Sequence, residues 1–525
     1  TRKPSPVGVT DRGRLESVLR RRERELADRL DGQKLSPRPA SKIAAQVGDV
    51  RTFTFSAFGD VTEDRSVETT LVATSDRATA YLDDALPAAD ENMTITQIED
   101  MLTTFSTDTY PVLTTTFGNA SDVDADGKVT FLFTHLVDDV GSIAGFYSSS
   151  SLFSAKQGGN GNMADMMFIS PTRAINSYES LLAHEFQHLI NYNEHVLVHD
   201  GDPEESWMNE ALSHVTEDLV GDHVEGGNPT LIEEFLRDPG AYRLNGDALL
   251  NSGIRGSAYL FLRGLIEDFG ETLPGQLVQT DDSGIPNVEA TTGQDFETLY
   301  QTFVARVFLS GTGLSEETQS NYTFPFFTET TTGHRSIPPP GETVISDQVA
   351  TVSSSVKPLA PEFLRLVGND AGQSFEIQSE VSGAFQALLV PLPKDFRPHL
   401  TLPSDYFPGI VLDAPFEGDY TAGEAVTVSG SVSDSEIKEL LFRFIPLEGQ
   451  ADTLKFTAEV SAGQFSRLIL FAPTHTGSYA FDLLTLTTGT LFEGMGGFSP
   501  VTVSESTGAV NLPVDFFSGI TLASP

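Results

Sequence analysis

The stretch ESLLAHEFQHLINYNEH, residues 179–195, is the part of the chain that decides its fold and its chemistry. It carries two histidines four positions apart, with a glutamate directly after the first. In a helix, His184 and His188 lie about 6 Å apart along the axis, so both imidazoles project from one face. The opposite side is apolar and can anchor the helix in a core through Phe186, Leu189 and Ile190.

The spacing of the two histidines suits a metal ion. Two imidazoles one turn apart match two ligands of a tetrahedral zinc, and Glu185 lies beside the ligand face, within reach of a water molecule. A chance His-Glu-x-x-His in a chain of this length is on the order of one in a hundred. Six of the ten histidines lie between residues 184 and 223. The alternative is a pair of structural histidines on an amphipathic helix.

A metal site with an open coordination position needs a third protein ligand, and the chain has no cysteine to supply it. Glu210 lies in SWMNEALSH, 22 residues after His188, on a second helical stretch. Its surroundings, NEALS, are the arrangement seen in gluzincin metallopeptidases. Residues 210, 214 and 217 share one helix face. We therefore predict zinc bound by His184, His188 and Glu210, with His214 and Glu217 orienting a ligand histidine.

Several segments resemble the hyicolysin-type zinc metallopeptidases, and the resemblance covers roughly residues 45–345. It implies that His184, His188 and Glu210 bind zinc, that Glu185 is the catalytic acid/base, and that the enzyme is secreted by a bacterium. One departure is His214, because thermolysin-like gluzincins carry an aspartate four residues after the third ligand. The segments that carry the resemblance are FGNASDVDADGKVTFLF (117–133), AHEFQHLIN (183–191), WMNEALSHVTEDLVG (207–221) and GSAYLFLRGLIEDFG (256–270).

Hydrolysis at such a site needs a base and an oxyanion donor. Zinc lowers the pKa of bound water toward about 7, and Glu185 is placed to take the proton and pass it to the leaving amine. Tyr259 and His223 are the predicted oxyanion donors, with His214 and Tyr192 as further candidates. Tyr259 fits equally well as a core aromatic.

The strand NMADMMFIS, residues 162–170, has two interpretations. It is either the sheet edge along which an extended substrate pairs through backbone hydrogen bonds, or an ordinary core strand.

An aspartate-rich turn precedes the strand KVTFLF. Asp122, Asp124 and Asp126 stand before Gly127 as in the first half of an EF-hand calcium loop, but the twelfth position is Phe133, where that loop has a bidentate glutamate. The alternatives are a calcium site completed from elsewhere in the chain and a tight Asp/Gly turn without a metal.

The chain of 525 residues is long enough for several domains. We predict an α+β zincin-like catalytic domain followed by all-β sandwich modules. LPSDYFPGIVLDAP (402–415) matches LPVDFFSGITLASP (512–525) at eight of fourteen positions, a spacing that suits one sandwich module. The predicted order is an Arg-rich N-terminal helix, solvated or a leader remnant (1–42), an N-terminal β module or sheet extension (43–90), the zincin-like metallopeptidase domain (91–345), a small β domain (346–400), an Ig-like β-sandwich (401–511), and the start of a further repeat or a closing strand (512–525).

Charge and composition restrict the partners. A net charge of −42 opposes nucleic-acid binding, and no apolar run is long enough for a membrane span. The N-terminus has no signal-peptide core, so either a targeting segment was removed or the chain is cytoplasmic; the β-rich, cysteine-free composition favours secretion. We expect a protein or peptide substrate, and β modules that bind a surface, a polysaccharide or a protein. The alternative function is a surface-attachment protein on a degenerate peptidase domain.

Overall fold

A computed structural model divides the chain into two compact units, residues 1–301 with 355–361 and residues 302–354 with 362–525. None of the described helices is long and apolar enough to cross a lipid bilayer. The structure describes residues 11–30, 45–56, 63–86, 92–140, 143–172, 178–221, 227–246, 251–309, 324, 340, 342–345, 357–366, 410–413, 418–423, 425–433, 437–446, 454–472, 475–486, 493–494 and 499–504.

The first unit contains a six-stranded sheet with the order β1-β2-β3-β4-β6-β5. The first three strands pair antiparallel. β1 and β2 alternate between buried and more exposed residues, whereas β3 is buried except at one partly exposed residue and the later strands are buried throughout. This is the expected change from a sheet with one solvated face to a parallel sheet covered on both faces. The strands are β1 (Val50–Phe55), β2 (Arg65–Thr74), β3 (Ala78–Asp83), β4 (Val129–Phe133), β5 (Gly145–Tyr147) and β6 (Met166–Ile169).

The strand pairing bears on two segments for which the sequence left alternatives open, residues 43–90 and residues 162–170. Strands β1–β3, predicted as a β module or a sheet extension over residues 43–90, lie in one sheet with β4–β6, since β3 pairs in parallel with β4. Strand β6, within residues 162–170, lies between β4 and β5, so of its two interpretations the core strand is correct and the sheet edge is wrong. The edge next to it is the antiparallel strand β5.

Helices make up most of the rest of the first unit, and α11, the last of them, continues past residue 301, where the second unit begins. α2 begins at a capping box, in which Thr94 and Gln97 satisfy each other's backbone N–H groups. α8 ends at Gly270, whose φ of 94° favours glycine, as its position after the last apolar residue predicts. The helices are α1 (Asp11–Leu30), α2 (Ile95–Thr104), α3 (Tyr110–Phe117), α4 (Leu136–Val140), α5 (Tyr178–Tyr192), α6 (Ser206–Leu219), α7 (Asn228–Arg237), α8 (Ser252–Phe269), α9 (Leu273–Val278), α10 (Gly284–Thr292) and α11 (Phe296–Leu309).

Helix α1 differs from its prediction. The sequence favours a solvated helix or a leader remnant, but one face of α1 is buried, and Leu15 and Leu19 belong to a core shared with Phe53, Phe55 and Phe168. The sequence does not reveal this buried face, because two of its residues, Arg20 and Glu23, are charged and interrupt the apolar spacing.

The second unit is mainly antiparallel β-structure. A six-stranded sheet and a three-stranded sheet contribute residues such as Phe442, Phe481, Phe465 and Ile469 to one apolar core, as in a sandwich. Most of the predicted small β domain (346–400) and all of the segment 512–525 lie outside the described residues. The strands are β7 (Glu342–Ile345), β8 (Phe363–Leu366), β9 (Ile410–Leu412), β10 (Gly418–Thr421), β11 (Ala425–Val432), β12 (Glu439–Pro446), β13 (Leu454–Glu459), β14 (Gln464–Leu470), β15 (Gly477–Leu486), β16 (Glu493–Gly494) and β17 (Ser499–Ser504).

Candidate metal centre

Two histidines of α5 and one glutamate of α6 come together in the first unit. The Nε2 atom of His184 lies 3.6 Å from Oε2 of Glu210, and the Nε2 atom of His188 lies 3.6 Å from Oε1 of the same carboxylate. All three side chains are at most 2% exposed. With bonds of about 2.0 Å, two ligand atoms of a tetrahedral zinc lie about 3.3 Å apart. The spacing therefore leaves room for a metal ion such as zinc.

Both imidazoles are oriented through their second nitrogen. Nδ1 of His184 is 2.9 Å from Oε1 of Glu217, and Nδ1 of His188 is 3.0 Å from Oδ1 of Asn209. An acceptor at Nδ1 selects the tautomer that carries its proton there and leaves the Nε2 lone pair directed at Glu210. Glu217 thus contacts His184, and its role in orienting a metal ligand stays a prediction.

The electrostatics keep the donors in the form that binds a metal. Burial, together with the Arg20 guanidinium, holds the pKa of His188 well below its ordinary value, so the imidazole is neutral. Burial raises the pKa of Glu210, but the charge of the Arg255 guanidinium is the main opposing influence, and that pKa lies well below its ordinary value. Nη1 of Arg255 lies 3.0 Å from Oε2 of Glu210. A neutral imidazole and an ionised carboxylate are the ligand forms that zinc requires.

His184 also belongs to a second group of donors, with His214 and Glu217. Here Oε1 of Glu217 lies 2.9 Å from Nδ1 of His184 and 3.1 Å from Nδ1 of His214. These are hydrogen-bond lengths, shorter than the separation of two ligands on one zinc ion. The spacing of the second group therefore fits hydrogen bonding better than a shared zinc ion.

Glu185 points toward the edge of the sheet. Its Oε2 accepts the backbone N–H of Tyr147, the last residue of β5, at 2.8 Å. This contact joins the helix that carries both histidines to the edge strand β5.

The candidate oxyanion donors lie in different places. The hydroxyl of Tyr259 donates to Asp218, with oxygen separations of 2.7 and 2.9 Å. The ring of His214 stands 4.9 Å from that of His184. Tyr192 is buried at the end of α5, and His223 lies outside the described residues. The predicted roles of Tyr259 and His223 in catalysis stay predictions.

The aspartate-rich turn brings together a different set of carboxylates from the one predicted. Asp122 and Asp124 converge with Asp165, which directly precedes β6. Asp126 is directed into the turn instead, where its carboxylate accepts the backbone N–H of Lys128 at 2.8 Å. Oδ1 of Asp122 likewise accepts two backbone N–H groups of the turn. Calcium binding at this turn stays a prediction.

Sequence reasoning did not find Asn209, Arg255 or the Tyr147 backbone. Each acts through a contact that only the tertiary fold creates, over separations of 21 to 45 positions in the chain. An arginine inside the apolar stretch SGIRGSAYLFL was the one signal that the sequence offered for Arg255.

Comparisons with known proteins show a distant, partial similarity. No family model matches the chain. A stretch of 145 residues is 28% identical to the neutral metalloprotease ShpI of Staphylococcus hyicus. The match covers 25% of this chain and 32% of ShpI, so the chain spans about a third of that relative. This is shorter than the resemblance expected over residues 45–345.

Proposed function

We propose that the chain is a secreted, zinc-dependent endopeptidase that hydrolyses peptide bonds of protein substrates. The observation that supports this most directly is the buried convergence of His184, His188 and Glu210, with Nε2 to carboxylate separations of 3.6 Å. The partial similarity to a neutral metalloprotease supports the same reaction class. The intact donor group argues against the alternative of a degenerate peptidase domain that serves only for attachment.

The donor set fits zinc in its chemistry. Two imidazole nitrogens and one carboxylate oxygen form a three-ligand site that leaves a coordination position open for water or substrate. Zinc held there would supply a Lewis acid that acidifies water and polarises the scissile carbonyl.

Glu185 is the proposed general base and acid. Its carboxylate is next in sequence to His184 and lies within one helical turn of His188, so it can take a proton from the attacking water and return it to the departing amine. In the resting structure the same carboxylate accepts the N–H of Tyr147, which fixes its direction toward the edge strand.

Strand β5 is the proposed guide for the substrate. It is the edge strand of the sheet, paired on one side only, with β6. An extended peptide adds to such an edge through backbone hydrogen bonds, and this fixes the position of one peptide bond with little dependence on sequence. A protein substrate is therefore the expected class.

Two further predictions belong to this proposal. The second unit is expected to bind a surface, a polysaccharide or a protein, because it is a separate compact unit that contains none of the three donors. A calcium ion at Asp122, Asp124 and Asp165 would add a stabilising site to the enzyme, and calcium titration of the chain with and without Asp165→Asn tests it.

The role of Glu185 is tested by Glu185→Gln. The variant should retain one zinc per chain and lose at least about a hundredfold in kcat on casein or a quenched fluorescent peptide, because a general base contributes that much. Glu297→Gln, an exposed glutamate of α11, is the matched control. Normal cleavage by Glu185→Gln would remove Glu185 from the reaction.

The ligand role of Glu210 is tested by Glu210→Ala. We expect this variant to lose zinc at concentrations that saturate the parent chain, as measured by elemental analysis after gel filtration. A folded Glu210→Ala protein with full zinc content would exclude Glu210 as a ligand, and a zinc-free parent chain would overturn the proposed function.

A further inference from the structure

The carboxylate of Glu210 is buried without the hydrogen bonds that a buried carboxylate ordinarily accepts. The side chain is 0% exposed, and within the described part of the chain neither of its oxygens has a hydrogen-bond partner. Each oxygen faces one histidine at 3.6 Å, which is longer than a hydrogen bond. Glu210 therefore keeps lone pairs for a cation beside His184 and His188.

Arg255 supplies a positive charge next to this carboxylate. It lies on α8, which packs against α6, and its Nη1 atom is 3.0 Å from Oε2 of Glu210. The arginine side chain is 7% exposed. Taking a guanidinium out of water is costly, and apolar residues of similar size frequently stabilise such a contact more. The packing of α8 on α6 therefore gives no reason for an arginine at this position.

A second ion pair between the same two helices differs from the first. Nη1 of Arg263 lies 3.7 Å from Oδ2 of Asp218, eight residues further along both helices, and these side chains are 4% and 2% exposed. Asp218 also accepts hydrogen bonds from the hydroxyl of Tyr259 and the side-chain amide of Asn228. The protein thus satisfies the carboxylate of Asp218, whereas that of Glu210 keeps acceptor capacity.

The contact at Oε2 bears on how Glu210 can bind a metal. A carboxylate can give a cation one oxygen or two. Two oxygens from Glu210 and two imidazole nitrogens would fill the four positions of a tetrahedral zinc, and none would remain for water. A guanidinium 3.0 Å from Oε2 competes with a metal for that oxygen and leaves Oε1, the oxygen that faces His188.

We propose that Arg255 is a positioning residue of the donor group. It engages Oε2 of Glu210, so that the glutamate gives a divalent cation a single oxygen, Oε1, and a coordination position stays open. The use of that open position for hydrolysis rests on the proposed peptidase function, whereas the ligation through one oxygen does not.

The test compares Arg255→Met with Arg263→Met in the full chain. Both substitutions remove a buried guanidinium from α8, but only the first removes a contact to one of the three donors. Cobalt(II), bound in place of zinc, reports the coordination number, because four-coordinate cobalt absorbs visible light more strongly than five-coordinate cobalt. The parent and Arg263→Met should show the strong four-coordinate spectrum. Arg255→Met should lose at least about half of that absorbance, as Glu210 binds through both oxygens.

Zinc affinity, measured by competition with a chromophoric chelator, is the second readout. Arg255→Met should bind zinc about tenfold more weakly, a usual loss when the partner of a ligand is removed, because the metal must then order the carboxylate itself. Arg255→Lys retains the charge and should recover most of the affinity and the four-coordinate spectrum. Arg263→Met should bind zinc like the parent, even where it unfolds at a lower urea concentration.

Arg255→Gln covers the case in which Arg255→Met does not fold. Glutamine is polar, but it is uncharged and shorter than arginine, so it should not hold Oε2 of Glu210. We expect the same weakening of the cobalt spectrum and of zinc binding as for methionine. Circular dichroism establishes for each variant that the chain is folded.

The outcomes separate this inference from the proposed function. A five-coordinate spectrum of the parent, or a parent-like spectrum and zinc affinity in folded Arg255→Met or Arg255→Gln, would overturn the role of Arg255. Equal losses in Arg255→Met and Arg263→Met would overturn it as well, since any buried arginine of α8 would then have the same effect. If the parent binds zinc but hydrolyses no peptide, the proposed function fails, and the cobalt spectra still decide the role of Arg255.

Discussion

Glu217 connects two imidazoles through one carboxylate oxygen, 2.9 Å from Nδ1 of His184 and 3.1 Å from Nδ1 of His214. A carboxylate behind a ligand histidine fixes its tautomer and raises its basicity. We predict that Glu217→Gln weakens zinc binding about tenfold, since the amide retains an acceptor but loses the charge. Competition with a chromophoric chelator measures the affinity, with Glu297→Gln as the control. Equal zinc affinity in parent and variant would contradict this role.

Asp165 gives a pH-dependent contribution to stability. Burial raises its pKa to about 7, against the opposing hydrogen bonds from Ser121 and Val123. Because this pKa is higher in the folded chain than in the unfolded one, the folded chain binds more protons between pH 4 and 7. The resulting stability is full below about pH 4 and is lost as the pH rises through about 7.

Asp165→Asn removes this titration with little change of shape. An asparagine can still accept the N–H of Val123, so the variant should match the parent near pH 4. At pH 8 it should be more stable by on the order of 2 to 4 kcal/mol, at about 1.4 kcal/mol per pKa unit. Urea unfolding at both pH values, without added calcium, measures the difference. If the difference in unfolding free energy between the parent and the variant is the same at both pH values, folding does not raise the pKa of Asp165.

At the residue scale, the sequence predicts the donors better than their surroundings. His184, Glu185 and His188 share one helical turn, so local geometry is enough to bring them together. Glu210 follows from the need for a third ligand. Asp165, in contrast, replaces Asp126 because β6 pairs with β4 and carries its start to the turn, and no local pattern encodes that pairing.

Among the elements, α7 and α8 approach each other closely at Gly256. A Cβ at this position would stand 2.0 Å from the carbonyl oxygen of Leu231, which is backbone and cannot move aside. Gly256 directly follows Arg255, whose guanidinium contacts Glu210. A change in the spacing of α7 and α8 would therefore move the guanidinium that contacts the carboxylate of Glu210.

We predict that Gly256→Ala lowers the free energy of unfolding by about 1 to 3 kcal/mol, the usual cost of overpacking, despite the better helix propensity of alanine. Zinc affinity should fall as well, because α8 must shift with Arg255. Ser252→Ala, at the exposed start of the same helix, is the control. Chemical denaturation and chelator competition measure the two effects, and a Gly256→Ala protein as stable as the control would show that the helices can separate freely.

Periodicity predicts which elements form, but not always what covers them. The helices around residues 184, 210 and 259 and the strand after Lys128 lie where apolar spacing places them. α1 is a helix as expected, yet the sequence does not show which face is buried, because Arg20 and Glu23 interrupt the apolar spacing. The position of β6 inside the sheet is a property of strand order, which hydrophobic pattern alone does not specify.

The whole molecule consists of two compact units, and the donor group belongs entirely to the first. A ligand stabilises only the cooperative unit that contains its site, by RT ln(1 + [L]/Kd), or about 4 kcal/mol at a thousandfold excess over Kd. Trp207, the single tryptophan, lies on α6 with its ring against Phe261 and Phe296, all in the first unit. Its fluorescence therefore reports the unfolding of that unit alone.

We predict two transitions in calorimetry, of which the one that coincides with the Trp207 signal moves up by about 5 to 10 °C when zinc is added. The transition of the β unit should stay in place, since none of the three donors belongs to it. Glu210→Ala is the control, and its Trp207 transition should not respond to zinc. If both transitions moved together, the units would unfold as one, and if neither moved, the donors would not bind zinc in the folded chain.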